Sequence, residues 1–210
     1  MRNVMVIAIL AASVLVGACS SDKITNPEKC ARRTSPDSLL RALATTYNEQ
    51  NSECYADLLH DDFIFVFVPE VAESLGLPPN EQWWGRTTDI EATGALFEDS
   101  TVTEIWFSYE LVGDWFVWED VRTDTTFTGI CRRLDPLIEV KLQAAGIDTV
   151  YRVDNSWLDI TLVPDTHSED LWVALRIQEH LKQPKTSASP TALATRPSSL
   201  SLIKALWAPD

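Results

Sequence analysis

Glycine is scarce in this chain, with 7 in 210 residues against 11 prolines. The G-x-G-x-x-G and P-loop patterns, whose backbone amides cradle phosphates, are absent, which argues against the common nucleotide-binding readings. No G-x-S-x-G nucleophile elbow occurs. No two cysteines have C-x-x-C spacing, so neither a zinc ribbon nor a thioredoxin-like site is supported. The 3 histidines are scattered over expected element ends and loops, so no metal site and no cofactor are expected. Basic residues are few as well: 17 against 31 acidic, a net charge of −14. That balance disfavours nucleic acid and anionic membrane surfaces as partners. What remains is ordinary for one globular domain with tails: 45% hydrophobic, 9% aromatic and 23% charged residues. A domain of this size needs no metal or disulfide staple to build a core.

Val4 to Val16 carries no charge. The run falls short of the ~20 residues that span a bilayer but suits the apolar region of a secretory signal. It ends in Leu15-Val16-Gly17-Ala18-Cys19, followed by Ser20-Ser21-Asp22. This stretch resembles the lipobox of bacterial lipoproteins. The resemblance implies that residues 1–18 are a removed signal peptide and that the Cys19 sulfur carries diacylglycerol. Acyl chains then anchor the protein without a transmembrane helix. The expected address is the bacterial cell envelope, and Ser20 in place of an aspartate favours the outer membrane. Export leaves Cys30, Cys54 and Cys131 for at most one internal bridge, with three pairings open. Cys54 shares a helical face with Leu58, the usual setting of an inert apolar thiol, so Cys30–Cys131 is the expected pair.

Residues 19–35 read as a tether. Ser35-Pro36-Asp37 starts a helix with a hydroxyl cap, a proline in the first turn and an early carboxylate. Leu39, Leu40, Leu43, Ala44 and Tyr47 form its apolar face. A shorter helix begins at Ser52 and ends at His60-Asp61-Asp62. Phe63 to Val68 alternates phenylalanine with β-branched residues, a strand covered on both faces. Residues 70–86 read as a connection. Thr88-Asp89-Ile90-Glu91 has capping-box spacing and opens a helix to about Asp99. After residue 100 the period becomes two. Strands are expected up to Leu111, over Trp115–Phe127, Ile138–Leu142 and Asp148–Val163, and through Leu171–Ile177. Turns are expected at Gly113-Asp114 and Ala144-Ala145-Gly146. Residues 182–199 are rich in Pro, Ser, Thr and Ala and read as a linker. The apolar segment 200–210, with Leu200, Leu202, Ile203, Leu206 and Trp207, is expected to dock back on the domain.

This is an α+β order. The stretch ALATTYNEQNSECYADLLHDDFIFVFV, the helix TTDIEATGALFED and the strands over 102–181 resemble the nuclear-transport-factor-2-like superfamily, which includes ketosteroid isomerase and the SnoaL-like cyclases. The resemblance covers residues 36–181 and implies a cone: a curved antiparallel sheet wrapped around N-terminal helices, with a pocket at its open end. That cone hosts isomerases, dehydratases, cyclases and binding domains, so it names no chemistry. Ketosteroid isomerase sets a tyrosine on the first helix, an aspartate near the first strand and another on a later strand. The residues of those types here are Tyr47, Asp62, and Asp120 or Asp159. Two of these positions also have a structural reading, Tyr47 as a core ring with its hydroxyl at the rim and Asp61-Asp62 as a solvated helix end. The eight tryptophans are the most unusual feature. Trp83, Trp84, Trp106 and Tyr109 are the candidate walls of an aromatic ligand site, or else rings that close the core and rim of the sheet. The leading expectation is non-catalytic binding of a small apolar ligand or a protein partner. The alternatives are a small pocket enzyme of isomerase, dehydratase or cyclase type using Asp/Tyr acid–base chemistry, and a structural envelope subunit that forms a homodimer through its sheet.

Overall fold

A computed structural model describes residues 30–122, 124–182, 195–197 and 199–209. Cys19, the lipobox-like stretch before it and most of residues 182–199 lie outside these residues. Helices α1 (Pro36–Asn48) and α2 (Ser52–Asp57) lead into strand β1 (Leu59–Val66). Helix α3 (Pro69–Ser74), strand β2 (Trp83–Gly85) and helix α4 (Arg86–Glu98) follow. The chain then runs through β3 (Val102–Arg122), β4 (Thr125–Ala144), β5 (Ile147–Val153), β6 (Ser156–Asp165) and β7 (Ser168–Leu181). A short β8 (Thr195–Pro197) and helix α5 (Leu200–Leu206) close it.

The strands form one curled sheet in the order β2-β1-β7-β6-β4-β5-β8, with β3 paired along β4. This is an α+β architecture with a curled sheet packed against helices, as expected, with one correction. The sheet is mixed, because β1 runs parallel to β7 and β5 parallel to β8. The helices cover one face of the sheet. Phe63, Phe65, Leu134, Ile138, Leu158, Ile160 and Ile177 point from the sheet into the buried cluster, where they meet Leu39, Leu43, Tyr47, Tyr55, Ala92 and Leu96.

Local chemistry explains most elements. Ser35 caps α1 and exchanges hydrogen bonds with Ser38 in a capping box. Asn51 caps α2 by accepting from the Cys54 amide at 3.0 Å. Helix α4 starts two residues before Thr88, on Gly85, without a side-chain cap. His60-Asp61-Asp62 opens β1 rather than ending α2, since β1 begins at Leu59. Gly113-Asp114 is no turn either. β3 continues through it, with the pairing to β4 shifting between Val112 and Phe116. Gly113 has φ +72°, which suits a bulge that curls the long hairpin. A second irregularity lies opposite. Between Thr161 and Leu162 the β6–β7 register steps from Arg176 to Ala174, looping out Leu175. Leu175 and Val173 therefore leave the main core for a small cluster with Val163 and Phe127. Gly129 on β4 packs against this step, where an added Cβ would fall 2.6 Å from the Leu162 carbonyl.

The disulfide joins Cys30 to Cys54, not Cys30 to Cys131. Cys54 faces inward near the start of α2, and the approaching N-terminal segment brings Cys30 to it with a Cα separation of 5.4 Å. The same segment is tied down by an Arg33–Asp165 ion pair at 3.1 Å and by the Trp172 amide donating to the Arg33 carbonyl at 2.9 Å. Cys131 stays a buried free thiol in mid-sheet.

Candidate functional site

Because pleating sends alternate residues to opposite faces, the sheet has a second face on which none of the described helices packs. On it lie Ile64 and Val66 of β1, Arg176 and Gln178 of β7, Asp159 and Thr161 of β6, and Cys131 and Arg133 of β4, matched across the strands by register. Trp83 pairs with Val66 at one side. At the other, the bulged end of β3 brings Trp118, Asp120 and Arg122 over from the curl.

Between Trp83 and this curl lies a groove of about 710 Å³, lined by Ile64, Val66, Trp83, Arg176 and residues 120–122 of β3 together with the 79–82 loop. The Trp83 ring is 43% exposed and forms an apolar wall. The floor is ionic. Asp120 is buried and accepts from Arg122 Nη2 at 2.8 Å and from Arg176 Nη1 at 3.4 Å. Arg176 also donates to Gln178 at 2.8 Å and stacks over the Trp118 ring at 5.8 Å. Its buried Nε has no acceptor among the described residues. Arg122 reaches further, to the Asp62 carbonyl, and covers the Phe127 ring at 5.0 Å. A guanidinium has five N–H donors and no acceptor. Arg122 and Arg176 both line the groove and use part of that capacity on Asp120, the Asp62 carbonyl and Gln178.

The expected acid–base residues do not converge. Tyr47 is buried on the helix side, edge-on to Tyr55, Phe97 and Phe107 at 5.2–5.5 Å. Asp120 and Asp159 lie on the opposite face, each held by arginine. Asp159 takes a two-pronged pair from Arg133, 2.7 Å on each oxygen, with His180 at 3.1 Å. Asp62 is largely exposed and beside His60. The expected aromatic wall is divided in the same way. Trp83 lines the groove, but its neighbour Trp84 turns inward against Phe67 at 4.6 Å. Trp106 is 50% exposed and stands opposite Glu139. Tyr109 is half-buried on the helix side beside Phe107. Among the described residues no three His, Cys, Asp or Glu side chains gather at metal-binding distance.

A second polar cluster lies inside the core. Asp89 on α4, Tyr55 on α2 and Thr93 on α4 meet Lys204 of α5. Lys204 is 1% exposed and Asp89 0%. Lys204 Nζ donates to Asp89 Oδ1 at 2.7 Å, Thr93 Oγ1 at 2.8 Å and the Tyr55 oxygen at 3.1 Å, and the Tyr55 hydroxyl donates to Asp89 Oδ2 at 2.5 Å. Burial, then the Asp89 charge, raises the Tyr55 phenol well above its usual value. Burial presses the Lys204 ammonium toward neutrality, but the Asp89 charge, then the Tyr47 phenol, and hydrogen bonding to both outweigh it and raise its pKa. Sequence reasoning missed this cluster. Its only local trace is a lysine amid the apolar positions of LSLIKALW.

No family model and no curated protein matches the chain. Solved structures of similar architecture do exist. A nuclear transport factor 2-like superfamily protein from Salmonella enterica is 9% identical, with 73% of this chain and 92% of that one covered and a TM-score of 0.45. A scytalone dehydratase-like protein from Novosphingobium aromaticivorans is 12% identical, with 74% and 87% covered and a TM-score of 0.44. A nuclear transport factor 2-like protein with a cystatin-like fold from the same organism is 15% identical, with 70% and 80% covered and a TM-score of 0.37.

Proposed function

We propose that this chain is a lipid-anchored protein of a bacterial cell envelope whose domain binds a small apolar carboxylate, without catalysis, in the groove beside Trp83. The observation that carries the reading is the pairing of an exposed apolar ring with two guanidiniums that share one carboxylate. An apolar ligand body would lie on Trp83, Ile64 and Val66, and its carboxylate would take the remaining arginine donors. The anchor rests on the lipobox-like stretch, and the Cys30–Cys54 bridge suits an oxidising compartment. The Asp/Tyr set expected for acid–base catalysis is not assembled, since Tyr47 lies across the sheet from Asp120 and Asp159. Native mass spectrometry against straight-chain carboxylates tests the reading. A one-to-one adduct with the wild type that is lost in Trp83→Ala supports it, and equal adducts in both overturn it.

A second reading, homodimerisation through the sheet, rests on β3. Val117 and Val121 are 70% and 74% exposed on one face of the strand, and β3 pairs with β4 alone among the described strands.

A further inference from the structure

The Lys204 ammonium sits in a complete recognition set for a primary alkylammonium ion. Its three N–H donors meet three acceptors, the Asp89 carboxylate, the Thr93 hydroxyl and the Tyr55 phenol oxygen. Its charge lies 5.2 Å from the Tyr55 ring centre and 5.0 Å from that of Phe65, as in cages that bind cations by ring faces. All the acceptors and rings belong to α2, α4 and β1; only the cation comes from α5, 115 residues from Asp89 in sequence. The short helix is docked by contacts separate from the ammonium. Glu179 accepts from the Leu200 and Ser201 amides at 2.8 and 2.7 Å, and Trp207 Nε1 donates to Asp99 at 2.8 Å. Leu200 and Ile203 are buried, while Leu202 and Leu206 remain exposed. A packed helix of this length needs no charge at its centre. An apolar side chain would fill the same space without the desolvation of an ion pair.

We propose that the Asp89–Tyr55–Thr93 cluster is a binding site for small primary alkylammonium ions, and that Lys204 is its built-in occupant, competing with free amines. The lysine stem marks the space such a ligand would fill, that of a short unbranched alkyl chain. This site is independent of the groove at Trp83, on the other face of the sheet.

Chemical rescue of Lys204→Ala tests the proposal. With n-butylammonium chloride the thermal midpoint of the variant should rise by several degrees and saturate. 1-Butanol, or sodium chloride at the same ionic strength, should not reproduce the rise, and the Asp89→Asn/Lys204→Ala double variant should not respond. If Lys204→Ala does not fold unaided, its refolding yield with and without butylammonium reads the same quantity. Rescue by butanol equal to that by butylammonium, rescue that persists in the double variant, or no rescue in either assay overturns the site. Competition is read on the wild type by hydrogen exchange of the α5 amides, followed by peptide mass spectrometry. Butylammonium should speed exchange in α5, and unchanged exchange at amine concentrations that rescue the variant overturns the competition.

Discussion

The Lys204 ammonium lies 2.7 Å from Asp89 Oδ1, and neither residue reaches solvent. An ion pair sealed in this way favours one arrangement of α5 over others, because removing either partner strands the other charge in an apolar core. Helix α5 is thus tied to the first half of the domain by a buried ion pair.

Breaking the pair from one side should cost about 3–5 kcal/mol, the usual penalty for a buried charge left alone. Lys204→Met should therefore lower the urea midpoint sharply. Adding Asp89→Asn to it should recover most of the loss, since the uncompensated carboxylate is gone. Urea titrations of both single variants and the double variant, read as a cycle, check this. Additive losses would mean that the two side chains do not act as a pair.

Alkaline pH should weaken the fold. Burial and Asp89 raise Tyr55, Lys204 is raised as well, and burial pushes the Cys131 thiol from 9.0 up to about 11. A group whose pKa is higher in the folded state than in the unfolded chain stabilises the fold below its unfolded value, and that contribution fades as pH rises toward the folded value. These three groups therefore contribute nothing to the pH dependence near neutrality. The thermal midpoint should begin to fall near pH 9, where Cys131 would ionise if unfolded, and fall more steeply above pH 10. Scans between pH 7 and 11 test the sign, and a midpoint that rises over that range contradicts it.

The cysteine pattern gives a chemical prediction. Cys30 and Cys54 are 24 residues apart, and closing a loop of that size is worth about 3 kcal/mol in the chain-entropy account. Cys54→Ser should lower stability by up to that amount. Cys131 should resist iodoacetamide at pH 8 in the native protein and react once unfolded. Non-reducing peptide maps with Cys131 in a disulfide would contradict the assignment.

Much of the architecture was legible because local signals agree with their surroundings. Phe63, Phe65 and Phe67 alternate and all three are buried. Ser35-Pro36 starts α1, and Ala145-Gly146 turns between β4 and β5 with φ of +52° and +78°. The errors arose where partners decide. Gly113-Asp114 has the composition of a turn, but a hairpin pairing β3 with β4 from Val102 to Arg122 absorbs it as a bulge. Leu171, Val173, Leu175 and Ile177 alternate as one face, but the looped-out Leu175 breaks that face in two. Asp120 and Asp159 carry no sign of their role until Arg176 and Arg133 arrive from other strands, Arg122 standing two residues from Asp120 on its own strand. Lys204 and Asp89 carry no mutual signal in a single sequence. The docking of the C-terminal apolar segment was readable, although only Leu200 and Ile203 of its large aliphatic residues are buried.

If β3 mediates a dimer, Val117→Lys with Val121→Glu should shift the molar mass toward the monomer without unfolding the domain. Light scattering coupled to size-exclusion chromatography reads it directly. An identical mass for wild type and variant, whether monomer or dimer, would remove the edge of β3 as the contact.

The anchor has an equally plain signature. Membrane-extracted protein should have an intact mass that lacks residues 1–18 and includes a lipid on Cys19, and Cys19→Ala should lose it. Wild type that retains residues 1–18 would refute the lipidation reading.

The groove itself is tested most directly by calorimetric titration of the wild type, Trp83→Ala and Arg122→Gln with decanoate. The account predicts saturable one-to-one binding to the wild type. It predicts weakening by about tenfold or more in each variant, the scale of one lost charge-assisted hydrogen bond or one lost apolar wall. Binding that is unchanged in both variants, or no binding by the wild type to decanoate or to any straight-chain carboxylate up to its solubility limit, would contradict it.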